Sequence, residues 1–314
     1  MSWSLLLPFV LFIAGVVIVI WATERLLEGL VGLAYLVRIS TFAIAAVLSG
    51  FEAENVAVGL AAARRGASEV AFGTVFGGAI FLVCGALGLG AMLYPLRVNL
   101  PRGFLVLLAS CPVVAGLGLL GDETNPLAGA VLLLAFAAAV VYLVLASRNH
   151  VFLESGEVRE AREKRRSYRG AVGLTVVGIL VIALGGELVA EGAGGIVSVL
   201  GLSTLLVGMV VTPAAIEIEE VIRQAIPARE GRPEVAAGNL VGTLLYFLWF
   251  NLGLIALIFP VEVNPQVRAF DWPYLVVVTW FATFFFARGR VGRIEGALLV
   301  AAYVLYVALR AAFG

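Results

Sequence analysis

Apolar runs of about twenty residues, separated by short polar breaks, dominate the chain. A helix needs about 20 mainly apolar residues to cross a bilayer, where its backbone groups must be satisfied internally. Ten runs meet that length, at roughly 5–23, 39–63, 69–95, 103–121, 126–147, 170–190, 198–222, 233–259, 272–287 and 293–312. The pattern predicts an all-α integral membrane protein with ten transmembrane helices. The breaks carry turn chemistry: GDETNP at 121–126, VNP at 263–265, and a short link between Pro95 and Pro101. The longest polar stretch, SRNHVFLESGEVREAREKRRSYR at 147–169, has five runs on either side. This predicts a first five-helix unit over 1–146, a charged linker over 147–169 and a second five-helix unit over 170–314.

The two units resemble each other. ERLLEGLVGLAYLVRIST at 24–41 aligns with ELVAEGAGGIVSVLGLST at 187–204. Glu24 and Glu28 then meet Glu187 and Glu191, and Ser40-Thr41 meets Ser203-Thr204. Further on, 52–78 aligns without a gap on 217–243 at an offset of 165 residues. Glu52 meets Glu217, Glu54 meets Glu219, and Asn55 meets Glu220, while Gly66, Gly73 and Gly77 meet Gly231, Gly238 and Gly242. Five spans per unit is an odd number, so equivalent helices run in opposite directions. An inverted repeat of this kind is a common transporter layout, with ion sites near the midplane where the repeats meet.

Charge sets the expected orientation. With both termini outside, seventeen of the 21 basic residues fall on inner segments and four on outer ones. Arg223 is counted among the inner loop residues, and Arg310 among the outer. The positive-inside rule therefore predicts a multi-pass cell-membrane protein with a cytoplasmic linker. The start, MSWSLLLPFV, lacks a basic leading region and reads as the first membrane helix. Zero net charge gives no footprint for nucleic acid, and no Walker A sequence suggests a nucleotide. No Ser-His-Asp or HExxH constellation suggests an enzyme, and no cofactor is expected. The lone His150 lies in the linker. Cys84 and Cys111 fall in apolar runs and read as buried free thiols.

What demands explanation is acid inside lipid-length runs. GFEAEN at 50–55 and AIEIEE at 215–220 both interrupt apolar sequence. Ionisable groups at that depth are costly and usually mark an ion pathway. On a helix, positions 52 and 55 point within about 60° of each other, as do 217 and 220. Glu54 and Glu219 point elsewhere unless the helix is broken, and Gly50 and Pro213 are candidate breaks. Facing halves would bring Glu52, Asn55, Glu217 and Glu220 to one point as hard oxygen donors. Such donors suit Na⁺, Ca²⁺, Mg²⁺, Mn²⁺ or protons. Clustered carboxylates need a neutraliser, and exchanging one neutraliser for another is the basis of antiport. Glu24, Glu28, Glu187 and Glu191, near the predicted span ends, read as interfacial or packing residues. Trp21, Trp249, Trp272 and Trp280, with Tyr94 and Tyr168, read as membrane-belt or packing residues.

These segments resemble the α-repeats of the cation/calcium exchanger superfamily, whose pattern is roughly G-T-S-x-P-E, a basic-Gly pair, then G-N-x-x-G-S-N. GLSTLLVG at 201–208 is similar to the lead-in of the second motif. AIEIEE and RPEVAAGNLVGT at 232–243 take the later places, as do GFEAEN and ASEVAFGTVFGG at 67–78 in the first half. The resemblance implies a cation antiporter, commonly of Ca²⁺ against Na⁺ or H⁺. The motif glutamate falls on Asn55 and Glu220, the serine on Glu52 and Glu217, and the proline on Glu54 and Glu219. Polar positions of the third and eighth spans fall on Leu82 and Phe247, leaving Thr74 and Asn239 as secondary candidates. The expected ligands are therefore Glu52, Asn55, Glu217 and Glu220, with Glu54 and Glu219 as extra ligands or proton carriers. The lipid bilayer and the transported cations are the expected partners. A proton-coupled Mn²⁺ or Mg²⁺ exporter, an intramembrane hydrolase and a non-transporting scaffold or sensor are the alternatives.

Overall fold

The computed structural model describes residues 3–36, 50–146 and 168–313. Ser40-Thr41, the start of the second predicted span and nearly all of the linker, including His150, lie outside the described residues. The chain forms α1 (Trp3–Leu36), α2 (Ala53–Arg64), α3 (Ser68–Leu93), α4 (Arg102–Leu119) and α5 (Pro126–Ala146). The second half gives α6 (Tyr168–Leu200), an interrupted α7 over 204–229, α8 (Pro233–Ile258), α9 (Val267–Ala287) and α10 (Arg293–Phe313). Eight described helices are long and apolar enough to cross a membrane, all but α2 and α7. Of those two, α2 is described over only 12 residues, and α7 carries Glu217, Glu219 and Glu220 close together.

Two helices outrun their predicted spans. α1 was expected to stop near residue 23, and α6 near 190. Charge alone does not end a helix when a partner is within reach. Arg25 Nη1 donates to Glu28 Oε1 at 2.6 Å, one turn on. Arg64 Nη2 and Arg65 Nε donate to Glu187 at 2.6 and 2.8 Å, and Arg65 Nη2 to Glu191 at 3.2 Å. Glu28, Glu187 and Glu191 thus pair with arginines near these helix ends. Hydrogen bonding to Glu187 raises the Arg65 pKa above its ordinary value.

α1 and α6 pack along their lengths in opposite directions. Gly15 meets Val189, Leu26 meets Gly178, and Gly29 meets Thr175. α3 and α8 form the centre, with Phe72, Phe76, Leu82 and Phe247 buried. A Cβ on Gly73 would sit 1.9 Å from the Gly208 carbonyl oxygen, so this crossing of α3 and α7 requires glycine. π-helical turns occur at Phe81–Ala86 in α3 and at Tyr246–Asn251 in α8, again 165 residues apart. Gly66 and Gly231 share that offset and both turn with positive φ, at 71° and 75°. The π turn at Gly73–Gly77 has no counterpart, since 238–242 is α-helical.

The ends are tied in pairs. Strand β1 (Leu96–Arg97) pairs antiparallel with β2 (Arg290–Val291), joining the turns before α4 and α10. A bridge between Glu123 and Glu262 joins the turns before α5 and α9. Indole N–H groups of Trp249, Trp272 and Trp280 donate to carbonyls of Cys111, Pro112 and Ala109 in α4, at 2.7–3.0 Å. Three of the tryptophans read as belt or packing residues thus anchor one helix around its Pro112. Cys84 and Cys111 are buried free thiols, as expected.

Arg310, placed by sequence in an outer segment, is buried in α10. It pairs with Asp271 Oδ1 at 2.8 Å and with Asp271 Oδ2, and donates to Gln266 Oε1 at 2.7 Å. Tyr306 donates to the same Asp271 at 2.7 Å. Removing one partner strands the other charge, so Arg310→Met is expected to destabilise by roughly 3–5 kcal/mol. The Asp271→Leu/Arg310→Met double variant should recover more than half of that loss. Thermal unfolding of the detergent-solubilised variants checks both; equal destabilisation of single and double variants contradicts this account.

Candidate cation site

The site is built on the start of α2 and on the interrupted α7. Before α2, Gly50 turns with φ 73°, and a Cβ there would lie 2.2 Å from the Thr243 nitrogen of α8. Glu52 (φ −122°, ψ 67°) is the last non-helical residue, and Ala53 starts the helix. Glu52, Glu54 and Asn55 therefore sit at a helix start against the centre of the protein. In the second half α7 changes character repeatedly. Val207–Val211 is a π turn, Pro213 opens the next α turn, and Glu217–Glu219 is 3₁₀ before α-helix resumes at Glu220. Tightening at 217–219 alters the angular phase between Glu217 and Glu220. Interruptions like these concentrate at functional sites. Gly50 is non-helical, and the residues before it lie outside the described ones; at Pro213 the helix changes register without stopping.

The acids meet. Glu52, Glu54, Asn55, Glu217 and Glu220 are each no more than 1% exposed. Asn55 Nδ2 donates to Glu217 Oε1, joining the halves. Asn239 Nδ2 of α8 donates to Glu220 Oε2 at 3.1 Å. Glu54, expected to point away from Glu52, lies within electrostatic reach of both Glu52 and Glu217. Glu219 takes a different place from its repeat partner Glu54: its side chain is 26% exposed and lies at the rim. Thr74 Oγ1 donates to the Ala71 carbonyl at 2.8 Å and accepts from Asn251 Nδ2 at 3.2 Å, and these bonds do not reach the acids.

Arg223 is the residue that sequence reasoning misplaced. Counted as a cytoplasmic loop charge, it enters the cluster instead. Its Nη1 donates to Glu52 Oε1 at 2.9 Å and to Glu220 Oε1 at 2.8 Å, and its Nη2 to Glu219 Oε1 at 2.6 Å. The signal was present: Arg223 follows Glu220 by three residues and Glu219 by four, the spacing of helical ion pairs. Asn251 was also missed. It lies one turn beyond Phe247, on the helix face already marked by Asn239 and Thr243.

The arginine explains why the acids do not form a ready-made cage. Among the described residues, no three or more His, Cys, Asp or Glu side chains have an arrangement that could hold a metal ion. A guanidinium bridges Glu52 and Glu220 where a cation between them would sit. Several oxygens nevertheless remain without a hydrogen-bond partner among the described residues: Glu54 Oε2, Asn55 Oδ1, Glu217 Oε2, and the hydroxyls of Thr212 and Thr243. Buried acceptors in that condition are costly. The cavity of about 570 Å³ beside the site, lined by Leu26, Phe51, Ile182 and Tyr246, is apolar, and Glu52, Glu217 and Glu220 do not line it.

A family model described as "Sodium/calcium exchanger protein" matches residues 7–145 and 170–312, most of the chain. The chain belongs to the sodium/calcium exchanger protein family. This is a family of transporters, not of enzymes, and this member is a multi-pass membrane protein. It is similar to the inner membrane protein YrbG of Escherichia coli K12, at 24% identity over 97% of each chain. It is also similar to the putative antiporter CaxA of Alkalimonas amylolytica, at 24% identity over 96% of this chain and 98% of that one. Among solved structures it resembles the sodium–calcium exchanger NCX_Mj, with a TM-score of 0.63 and 21% identity, covering 97% of this chain and 98% of that one. At that identity the likeness establishes the exchanger fold.

Gly50 offers a test of how the site is held. Gly66→Ala meets no atom within 4 Å, so it should cost only the left-handed backbone penalty, about 1–2 kcal/mol. Gly50→Ala should cost clearly more, because its Cβ meets the α8 backbone. Melting temperatures of the two variants in detergent decide the matter; a Gly50→Ala variant as stable as Gly66→Ala contradicts the close approach.

Proposed function

We propose that this exchanger-family member is a secondary-active cation antiporter. It exchanges Ca²⁺, or a similar hard divalent cation, for Na⁺ or H⁺ by alternating access. Its two five-helix halves, 1–146 and 170–314, form an inverted repeat of ten spans, with both termini outside and the linker over 147–169 in the cytoplasm. The observation that carries the proposal is the burial of acids from both halves at one point with unpartnered oxygens among them. The antiparallel packing of α1 on α6 and the repeated π turns support the inversion. The family match in two stretches supports the duplication. CaxA is named a putative antiporter and NCX_Mj a sodium–calcium exchanger, which supports exchange as the activity.

Charge makes a divalent cation the favoured substrate. Four carboxylates are buried here, two of them paired with the Arg223 guanidinium, and a divalent cation offsets more of that formal negative charge than a monovalent one does. Glu52, Asn55, Glu217 and Glu220 are the assigned ligands. Glu54 joins them, and Thr74 and Asn239 orient neighbouring groups. One observation favours proton coupling, and with it an Mn²⁺ or Mg²⁺ exporter as the second reading. Leu82 and Phe247, fully buried, take positions where the family's pattern has polar groups, so monovalent-ion ligands are fewer.

Reconstituted liposomes test both readings. Ca²⁺ flux should fall at least about tenfold in Glu52→Gln and in Glu220→Gln, a loss of one charge-assisted contact or more. Parental rates in both variants would falsify the ligand assignment. A panel of Ca²⁺, Mn²⁺ and Mg²⁺, with and without a Na⁺ gradient, separates sodium from proton coupling. A correctly folded parent that moves no cation under any gradient leaves only the scaffold or sensor.

A further inference from the structure

We infer that Arg223 is a tethered cation that occupies the site when no ion is bound and is displaced toward Glu219 when one enters. The inference rests on reading the cluster as a cation site. One nitrogen of the guanidinium holds two deeply buried carboxylates from opposite halves, Glu52 at 2.9 Å and Glu220 at 2.8 Å. The other nitrogen holds Glu219 at 2.6 Å, and Glu219 is the acid at the rim, its side chain 26% exposed against 1% or less for the other two. The three contacts therefore lie along a path from the interior outward. The inner contacts use the oxygens a hard cation needs; the outer one does not.

A planar, permanently charged fork suits this role. It brings positive charge to two deeply buried acids, one from each half. It cannot leave the protein, so the ion-free carrier keeps its acids compensated. A divalent ion brings twice the charge to a point among Glu52, Glu217 and Glu220, whose remaining oxygens include the unpartnered Glu217 Oε2 and Asn55 Oδ1. The guanidinium then yields Glu52 and Glu220 while Glu219 keeps it paired. This gives the difference between the repeats a purpose. Glu54 faces inward as a ligand, whereas its counterpart Glu219 waits outside as the arginine's second partner.

Two measurements on purified full-length protein in detergent test this. Equilibrium dialysis with radioactive Ca²⁺ should give Arg223→Gln a half-saturating concentration about tenfold or more below the parent, because the built-in competitor is gone. In the parent, Ca²⁺ should speed modification of Arg223 by phenylglyoxal, read by mass spectrometry, because the guanidinium moves outward. An Arg223→Gln variant that binds no tighter, or an Arg223 that Ca²⁺ protects or leaves unchanged, overturns the displacement. Should Arg223→Gln fail to fold, the modification rate in the parent decides alone. A parent that binds none of Ca²⁺, Mn²⁺ or Mg²⁺ overturns the antiporter reading as well; a parent that binds while Arg223 stays put overturns only the displacement.

Discussion

Neutralising carboxylates away from water is the constraint on which this structure turns. An ionised acid without a partner is not tolerated in a protein interior, and here several acids share one interior point. The chain meets the demand with one guanidinium reaching three of them, with amides from Asn55 and Asn239, and with interruptions that let α2 and α7 aim their acids at each other. Those interruptions are costly to build. Gly50 must take a left-handed backbone against α8, and α7 must pass through π and 3₁₀ turns within a few residues. Such local strain persists only when the surrounding packing determines it.

The packing that does so is made of small residues. α3 and α8 are enclosed by the other helices, and glycines let α7 approach α3 and let α1 lie on α6. In a bilayer, where helix association gains little from excluding water, such close approach supplies much of the adhesion. Polar ties add to it: the buried Asp271 with Arg310 and Tyr306 and, in exposed positions, Arg64 and Arg65 with Glu187 and Glu191. The last pair of ties links the end of α2, which carries part of the site, to α6 of the other half. The α1–α6 layer is thus connected to the site-bearing helices through a charged contact at their ends.

The two halves are alike in backbone and unlike in chemistry. Gly66 and Gly231 make the same turn, and the π turns at 81–86 and 246–251 recur at the same offset. Yet Glu54 is buried where Glu219 is at the rim, and Arg223 has the apolar Val58 at the 165-residue offset. Unequal side chains at aligned positions thus gave one arginine to a cluster drawn from both halves.

Sequence by itself determined the membrane class, the positions of the apolar helices, the repeat and the identities of the acids that meet. Each follows from local or periodic information: run length, aligned residues, and charges where lipid-length runs forbid them. Helix ends were less legible, because Glu28, Glu187 and Glu191 look like stops until arginines one turn away or on another helix are seen to hold them. The opposite fates of Glu54 and Glu219 and the partners of Thr74 depend on backbone phase at a broken helix, which no periodicity encodes. Only the tertiary structure decided that Arg223 belongs among the carboxylates. A charge three residues from an acid looks the same in sequence whether it faces water or a buried site, and the difference lies in what the opposite half of the chain brings to meet it.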